Sequence, residues 1–462
     1  MSSNVYSLSD LKNIINVIKT INVEEDEKFD LLRIVSMKRK KLYEENMNNV
    51  LFFPITIDDK CYEEGWVKNT FDLRDAIDEI TQKHPEYTYV VEEDMINKIT
   101  TKNIKMIVVD NIMKSVDDLY DYVIKNNDFK VVAVTGSAGK TTTVGMIEKV
   151  LSTEYNVLRI YSDRITPIIL KSYIINLLNE NIDVVALEMG IFYKHHVEAL
   201  SDLINPDYAA IINIGDAHLG TGGLNSIDDI CKYKSRIFKY AKVGYVNTDN
   251  EYLKRLNVKN KKLFYNDEYV CDTNMDELKS ISPSSVKYDN NSITINNNKI
   301  NVPILTVQSI VCDTLAYNIG KDFNISDDKI IKAINEFTVV EHRLQRVNIF
   351  GKNVIFDGDS SFKERIHQLS LHLYDKAYLV IRHYAYAEYK DDFIGIKDYF
   401  SNFDKVFLFS NIRFIDELKD ADNVVVVDNH DFMRDLDGEI FYHCNDYFYL
   451  HKENYVDEKY LI

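Results

Sequence analysis

The chain has 462 residues, which at the usual domain size of about 150 residues predicts three domains and excludes a single small binding module. Apolar residues make up 45% of it and charged residues 28%, so it can bury ordinary cores and is not a disordered polyelectrolyte. Its 55 Lys and Arg against 73 Asp and Glu give a net charge of −18. Such a charge repels nucleic acid and anionic membranes, so we expect neither as a partner.

Cysteine usage and the N-terminus indicate the compartment. The five cysteines are scattered and form none of the close C-x-x-C pairs that clasp a structural zinc, which favours a reduced setting. Residues 1–20 mix charged with apolar residues and lack the apolar core and cleavage site of a secretory signal. No run reaches the roughly 18 apolar residues that a membrane span needs. We therefore expect a cytoplasmic protein without a membrane span.

Residues 1–129 are predicted to form a first α/β domain. Apolar residues at helical spacing predict an amphipathic helix near the start, made of Leu11, Ile14, Ile15 and Ile18. A second helix is predicted to carry Leu32 and Val35. The apolar runs 50–53 and 107–109 predict buried strands. The polar stretch 125–128 then interrupts the pattern and is a candidate linker.

Residues 130–338 are predicted to form a second domain, in which strand, turn and helix repeat. Its short apolar runs are of the kind that is buried on both faces of a parallel sheet: 131–134, 184–187 and 209–212. They predict a doubly wound α/β core. Polar residues dominate 247–299 and predict a peripheral excursion from that core.

Residues 339–462 are predicted to form a third, smaller α/β domain of the Rossmann-like kind. Four apolar runs predict four buried strands there: 354–356, 377–381, 406–409 and 424–427.

The sharpest motif follows the predicted strand 131–134 and precedes a helical pattern. It consists of Thr135, Gly136, Ser137, Ala138, Gly139, Lys140, Thr141 and Thr142, which we call the phosphate loop. A glycine-bearing turn at a helix N-terminus lets backbone N–H groups converge on phosphate oxygens. Lys140 would add positive charge at the β and γ phosphates, and the Thr141 hydroxyl would ligate Mg²⁺. The motif predicts a nucleotide site; the alternative is a turn that merely needs glycine.

Two further segments follow predicted strands. Glu188 comes at the carboxyl end of the strand 184–187, where ligands collect in open α/β sheets and where a carboxylate could hold Mg²⁺. His218 ends the segment 213–218, and Lys234 lies on a helical stretch beyond it. Each residue alone also fits a structural role, as a strand-end acid, a hydrogen-bonded histidine and a solvated helix lysine respectively.

Together these segments resemble the central ATPase domain of the Mur ligase family, most of all the branch that adds D-alanyl-D-alanine to the UDP-N-acetylmuramoyl tripeptide. That branch carries T-G-S-x-G-K-T-T, E-M-G after a strand, N-x-x-x-A-H-L and an A-K-x-E-I helix. Val134 stands where the general P-loop pattern has its first glycine, but the shorter form is the one that this family uses. The resemblance implies an α/β fold in three domains, with a central doubly wound P-loop ATPase sheet flanked by smaller α/β domains.

The resemblance also implies roles for single residues. The phosphate loop would bind ATP, with Thr141 and Glu188 at a first Mg²⁺ and His218 at a second. Lys234 would be the lysine that the family carbamylates, and its CO₂ adduct is a carboxylate able to approach Mg²⁺. Arg236 stands where the family has an acid, and Asn247 resembles the asparagine of the family's next strand end.

Three residues nearer the C-terminus correspond to nucleotide contacts of the family. Gln308 would replace an asparagine that contacts adenine. Arg343 would reach the nucleotide phosphates from the third domain, or else make a local salt bridge. Asp357 would contact ribose or amine, or else cap the following helix. The family's Asn-Pro element after this acid and its Lys-Gly-Ser segment have no counterpart, which leaves the amine open.

We therefore expect an ATP- and Mg²⁺-dependent amide-bond ligase that joins a small-molecule acid to an amine through an acyl phosphate. A UDP-muramoyl peptide as the acid follows from the resemblance alone. Two alternatives stay open. The first is a Mur-like ligase that serves a secondary metabolite, a cofactor or a glutamylated product, and the second is a nucleotide-binding regulatory protein that does not ligate.

Overall fold

The strands of the protein form three main sheets that follow one another along the chain. The computed structural model describes residues 4–34, 49–57, 59–66, 71–160, 165–289, 292–302, 304–338, 344–349, 351–358, 362–382, 395–412 and 415–444. The sheets confirm the predicted α/β class, while the domain boundaries after residues 129 and 338 stay predictions. None of the helices within the described ranges is long and apolar enough to cross a bilayer.

The first sheet has five strands. In spatial order they are Val17–Ile21, Lys105–Val109, Thr88–Val91, Val50–Phe52 and Leu31–Arg33, and only the first runs antiparallel to its neighbour. The helices around it are Leu8–Ile14, Asp59–Glu63, Ile77–Lys83, Glu93–Lys98 (3₁₀) and Ile112–Asn126. Two ribbons pair Tyr6–Ser7 with Lys28–Phe29 and Thr56–Ile57 with Phe71–Asp72. The strands predicted within 50–53 and 107–109 are confirmed.

The two helices predicted in this region are wrong in extent or in kind. The first ends at Ile14, because Ile15 is extended (φ −115°, ψ 157°), and Ile18 lies on the next strand with half of its surface exposed. Leu32 is fully buried in a strand. Val35 lies outside the described residues. The apolar residues at helical spacing therefore belong partly to the helix and partly to the strand that follows it.

The central sheet has six parallel strands. In spatial order they are Val157–Ile160, Val184–Glu188, Lys130–Thr135, Tyr208–Ile211, Val243–Asn247 and Glu277–Ile281. Its helices are Lys140–Leu151, Pro167–Leu177, His196–Ile204, Ile227–Lys234, Ser235–Phe238 (3₁₀), Val307–Asp322 and Asp327–Asn335. Val131 and Ala133 belong to one apolar cluster and Val132 and Val134 to another, so both faces are buried.

The strand order explains where a ligand can bind. Lys130–Thr135 comes first in the chain but third in the sheet, because the chain adds two strands on one side before it crosses to the other. This is the doubly wound order that the sequence predicts. Such an order opens a crevice at the carboxyl end of the strand where the direction reverses.

The segment 247–299 only partly follows its prediction. It forms two small antiparallel sheets, Leu256–Lys259 with Lys262–Tyr265 and Glu268–Asp272, and Lys287–Asp289 with Ser292–Ile295 and Asn298–Asn301. Short 3₁₀ helices lie at Leu253–Arg255 and Pro283–Ser285. Glu277–Ile281, however, pairs with Val243–Asn247 and forms an edge of the central sheet. The prediction that residues 247–299 form a peripheral excursion is therefore wrong for this strand.

The third sheet has six strands. In spatial order they are Gln345–Ile349, Lys352–Asp357, Glu439–His443, Ala377–Ile381, Lys405–Phe409 and Val424–Val427, of which only the first is antiparallel. Its helices are Phe362–Ser370, Lys397–Phe400, Ile415–Glu417 (3₁₀) and Asp431–Asp435 (3₁₀). Three of the four predicted strands are buried. The fourth is an edge strand, on which the side chains of Val425 and Val426 are 38% and 45% exposed. The sequence analysis did not predict the strand Glu439–His443.

Candidate active site

Three neighbouring strands of the central sheet bring the predicted site segments together. The phosphate loop follows Lys130–Thr135, and Glu188 ends the strand on one side of it. The segment 213–218 follows the strand on the other side. The carboxyl ends of parallel strands meet at one edge of a sheet, and residues far apart in sequence therefore share one crevice.

An asparagine that the sequence analysis did not select holds the phosphate loop. Asn213 Oδ1 accepts the backbone N–H groups of Ser137 (2.8 Å) and Ala138 (3.0 Å), and its Nδ2 donates to Ala138 O (3.0 Å). The Gly215 N–H donates to Ser137 Oγ at 2.8 Å. Gly139, with φ of +78°, then leads into the following helix. The available signal was the position of Asn213 at the start of the segment that ends in His218.

Thr141 and Glu188 form the pair that was predicted to hold Mg²⁺. The Thr141 hydroxyl donates to Glu188 Oε2 at 2.7 Å. Hydroxyl and carboxylate oxygens suit Mg²⁺, which takes hard oxygen ligands and keeps positions for water and phosphate. Among the described residues, no three His, Cys, Asp or Glu side chains cluster as a metal site. One hydroxyl and one carboxylate fit a cation that also takes phosphate and water oxygens as ligands.

Two lysines converge on one carbonyl oxygen of the phosphate loop. Lys140 Nζ donates to Gly136 O at 3.0 Å, and Lys234 Nζ donates to the same oxygen at 2.7 Å. Lys234 is 1% exposed at the end of its helix, so its alternative role as a solvated lysine is wrong. Two lysine side chains on one oxygen bring amino groups to this end of the loop, and an anion bound beside them would favour their protonated forms.

His218 lies in the loop above this edge of the sheet, in a left-handed conformation with φ of +68°. Its ring packs 4.4 Å from the ring of Phe192, centroid to centroid. Non-glycine residues adopt this conformation rarely, and functional sites are among the places where they do.

The loop that contains Phe192, between the strand Val184–Glu188 and the helix His196–Ile204, contacts the N-terminal region through hydrogen bonds and ring stacking; we call it the Phe192 loop. The Phe192 N–H donates to His196 Nδ1 at 3.3 Å, and His196 Nε2 bonds with Glu64 O at 2.9 Å. Trp66 stacks on the His196 ring at 3.7 Å. Through the Phe192–His218 contact, this stack connects the first domain to the candidate site.

Gln308, for which the resemblance implies an adenine contact, lies beside the phosphate loop. Its Oε1 accepts from Asn213 Nδ2 at 2.7 Å. A Cβ placed on Gly139 would lie 2.4 Å from Gln308 Nε2, so the two residues are in close contact. That Nε2 is buried without a hydrogen-bond partner in the described part of the chain. A cavity opens beyond it, lined by Thr142 of the loop and by Arg365 and others of the third domain.

Asp357 faces the interior of the third domain rather than this cavity. It is fully buried. Its carboxylate accepts hydrogen bonds from Arg365 Nε, at 2.9 Å, and from Arg365 Nη2. One carboxylate oxygen also lies 3.1 Å from His443 Nδ1. Burial acts to raise the pKa of Asp357, but Arg365 and His443 outweigh it and hold that pKa below its usual range. Arg365, which lines the cavity, lies between Asp357 and the cavity as its ion-pair partner.

The remaining predicted residues lie as follows. Thr135 is buried and its hydroxyl donates to Met189 O at 2.7 Å, which ties the loop strand to the Glu188 strand. Asn247 is buried and donates to Ile212 O at 3.1 Å, so its amide joins two strand ends. Arg343 lies outside the described residues.

Known proteins match both the central segment and the fold. Residues 134–317 match the Mur ligase middle domain. The UDP-N-acetylmuramoyl-tripeptide–D-alanyl-D-alanine ligase of Bacillus subtilis is 29% identical over 256 residues, 53% of each chain. The chain spans about half the length of the first curated relatives it matches.

Two solved structures share the fold over nearly the whole chain. MurF from Acinetobacter baumannii superposes with a TM-score of 0.70 at 14% identity, covering 98% of both chains. MurF from Thermotoga maritima, solved in complex with ADP, has a TM-score of 0.64 at 17% identity and covers 90% of this chain and 93% of its own. Residues 134–317 therefore match the Mur ligase middle domain, and the chain shares the fold of these two MurF structures.

Proposed function

We propose that the protein is an ATP-dependent ligase that joins a carboxylate to an amine through an acyl phosphate, with a UDP-muramoyl peptide as the acid. The observation that carries this proposal is the Thr141–Glu188 pair beside a loop on which two lysines converge. The named activity of the Bacillus subtilis relative supports the substrate class.

The chain's own residues account for phosphate binding and charge. The loop N–H groups and Lys140 would bind the β and γ phosphates and stabilise charge on the transferred group. A Mg²⁺ ion held by Thr141 and Glu188 would neutralise charge on the phosphate oxygens. No protein nucleophile is needed, because placement and electrostatics supply most of the catalysis in phosphoryl transfer.

The reaction balances in two steps. An oxygen of the substrate carboxylate attacks the γ phosphorus of ATP, the bond to ADP breaks, and an acyl phosphate forms. The amine then attacks the acyl carbon, inorganic phosphate leaves, and the amine loses a proton. Closure of the third domain over the crevice would exclude water, which would otherwise hydrolyse the acyl phosphate.

Lys234 would carry the CO₂ adduct that the resemblance implies. A buried ammonium beside a second lysine is costly, so burial favours loss of a proton to give the neutral amine of Lys234. That amine would attack the carbon of CO₂ and lose one further proton, which gives an anionic carbamate. Carbon-13 NMR in labelled bicarbonate is expected to show one carbamate signal that Lys234→Ala removes. Lys232→Ala, on the same helix and more exposed, is the control and should keep the signal. A spectrum without the signal in the unaltered protein would refute the adduct.

Phosphate release tests the function directly. A ligase releases phosphate from ATP only when acid and amine are both present, and mass spectrometry then identifies the product. A panel of UDP-muramoyl peptides and dipeptides tests the proposed substrates. Products from other acids and amines would support the secondary-metabolite, cofactor or glutamylation alternative, whereas nucleotide binding without turnover would support the regulatory one.

A further inference from the structure

One helix of the third domain, Phe362–Ser370, lies close to the phosphate loop. Its Lys363 Nζ lies 3.1 Å from Asp216 Oδ2. Asp216 directly follows Gly215, whose N–H donates to Ser137 Oγ of the loop at 2.8 Å. The gap between this helix and Asp216 is therefore next to the place where the proposed acyl phosphate would form.

His367 lies on the same face of this helix as Lys363 and one turn later, because residues four apart in a helix are neighbours. Its ring stacks on the ring of Tyr399, with 4.7 Å between the centroids and 19° between the planes. In the described part of the chain, neither ring nitrogen of His367 has a hydrogen-bond partner. Stacking thus holds the plane of the imidazole without using its nitrogens.

The other histidines in the described part of the third domain use their ring nitrogens to hold the fold. His372 Nε2 bonds with a backbone oxygen at 2.8 Å, and its Nδ1 accepts a backbone N–H at 3.3 Å. His430 Nε2 bonds with a tyrosine hydroxyl at 2.8 Å, and His443 Nδ1 lies 3.1 Å from a buried carboxylate. His367 differs from these three because its nitrogens are available to a substrate.

The surroundings of His367 keep its imidazole neutral at neutral pH. Burial lowers the pKa of His367, Asp216 acts in the opposite direction, and the Lys363 ammonium again lowers it. The helix Lys397–Phe400 faces it with the Tyr399 ring, and the charged side chains of that helix are exposed. A neutral imidazole can accept a proton, and the Asp216 carboxylate would then stabilise the imidazolium that forms.

The proposed reaction needs a base on the side from which the amine arrives. An α-amino group has a pKa of about 8, so at neutral pH most of the amine is an ammonium ion, which has no lone pair for attack. Two protons must leave this nitrogen before the amide is complete, and one of them leaves with the phosphate. A base has to take the other.

We propose that His367 is the catalytic base that takes a proton from the ammonium group of the amine substrate. This inference rests on the proposed function. One imidazole nitrogen accepts the proton, the freed lone pair of the amine attacks the acyl carbon, and a C–N bond forms. As the tetrahedral intermediate collapses, the C–O bond to phosphate breaks and the second proton leaves with the phosphate. The imidazolium then gives its proton to water.

The pH dependence of kcat, measured on the full chain, tests the inference. UDP-N-acetylmuramoyl tripeptide and D-alanyl-D-alanine serve as probes, after the name of the Bacillus subtilis relative. kcat of the unaltered protein should fall at acid pH, below the ordinary histidine pKa of about 6.5, as His367 gains a proton. His367→Gln should lower kcat at pH 7 about 100-fold. Its kcat should instead rise steadily with pH, because the fraction of free amine then limits the rate.

His372→Gln is the matched control, since the ring nitrogens of His372 bond only to the backbone. It should keep the fall of kcat at acid pH. Added imidazole should restore ligation by His367→Ala, because it supplies the missing base, and it should not raise the rate of His372→Ala.

A second nucleophile separates the base from a merely structural role. Hydroxylamine is uncharged at neutral pH, so it attacks an acyl phosphate without a base to deprotonate it first. With ATP and the tripeptide, His367→Gln should therefore form the hydroxamate at the rate of the unaltered protein, although it has lost ligation of the dipeptide. Hydroxamate formation also shows that the variant is folded.

The outcomes separate the inference from the proposed function. If the unaltered protein forms neither hydroxamate nor ligated product, the proposed function is refuted and the inference with it. If His367→Gln keeps the kcat of the unaltered protein and its fall at acid pH, the role of His367 as the base is overturned and the proposed function stands. The same holds if His367→Gln loses hydroxamate formation together with ligation.

Discussion

Lys140 has different surroundings from Lys149, the other lysine of its helix. Its ammonium is folded onto Gly136 O at 3.0 Å, on the loop where phosphate would lie. Lys140→Ala should lower the rate of phosphate release by at least about 100-fold, since a preorganised charge at the transferred group is lost. Lys149→Ala, exposed on the same helix, is the control and should retain the full rate. Unchanged release by Lys140→Ala would remove the phosphate loop from the mechanism.

Asp357 links the third domain's stability to pH. Its folded-state pKa is lowered, so its contribution is present above the ordinary carboxyl pKa of about 4 and is lost as the pH falls towards the folded value. Asp357→Asn removes the buried carboxylate that Arg365 binds and should cost about 3–5 kcal/mol. Urea unfolding of both proteins at pH 7 and pH 3 measures this, and the difference should shrink at the lower pH.

The control for Asp357→Asn is Asp422→Asn, an exposed acid of the same domain that should change the urea midpoint little at either pH. A difference between Asp357→Asn and the unaltered protein that stays constant from pH 7 to pH 3 would contradict the ion-pair account.

Which residues of the site the sequence could predict depends on how local their roles are. Lys140 and Thr141 lie within one loop, so their spacing from Gly139 suffices to select them as candidates. Asn213 acts on Ser137 from a different strand, and nothing in its local sequence specifies that contact. Asp313 is a polar helix residue in the sequence, and its 3% exposure follows from packing between elements that the local sequence does not specify.

At the scale of elements, the turn into the phosphate-loop helix requires glycine. Gly139 has φ of +78°, and a Cβ there would lie 2.4 Å from Gln308 Nε2. Gly139→Ala should therefore strain the turn by about 1 kcal/mol and also displace Gln308 or the loop, so nucleotide affinity should fall at least about tenfold. Gly351→Ala has the same strain (φ +77°) but no atom within 4 Å of the new Cβ. It should lose similar stability and keep full affinity, and equal affinities of the two variants would contradict the argument.

The strands that the sequence predicts best are those with both faces buried. The continuous apolar run 131–134 indicates such a strand, and the structure confirms it at Lys130–Thr135. The first helix was extended too far because Ile18 continues a helical spacing although its backbone is extended. Glu439–His443 lies in the middle of its sheet but has polar residues at both ends, so its apolar run was too short to stand out.

On the scale of the whole molecule, side chains near the candidate site connect all three domains. Trp66 of the first domain stacks on His196, next to the Phe192 loop. Lys363 of the third domain lies 3.1 Å from Asp216, two residues before His218. The sequence indicated three α/β units but not these contacts, because the contacts depend on how the three sheets and their loops pack against one another. Both contacts adjoin loops of the central crevice, so domain arrangement and site geometry are coupled.

The Lys363–Asp216 pair predicts a test of domain closure. Both side chains are about one-third exposed, and such pairs contribute about 1 kcal/mol or less. Lys363→Met should therefore leave the thermal midpoint nearly unchanged but lower kcat up to about fivefold, because the closed arrangement is less populated. High salt should reduce kcat of the unaltered protein and reduce the difference between the two. Lys376→Met breaks a pair with Asp437 inside the third domain and should leave kcat unchanged. Equal kcat values for Lys363→Met and Lys376→Met would show that the Asp216 contact does not assist closure.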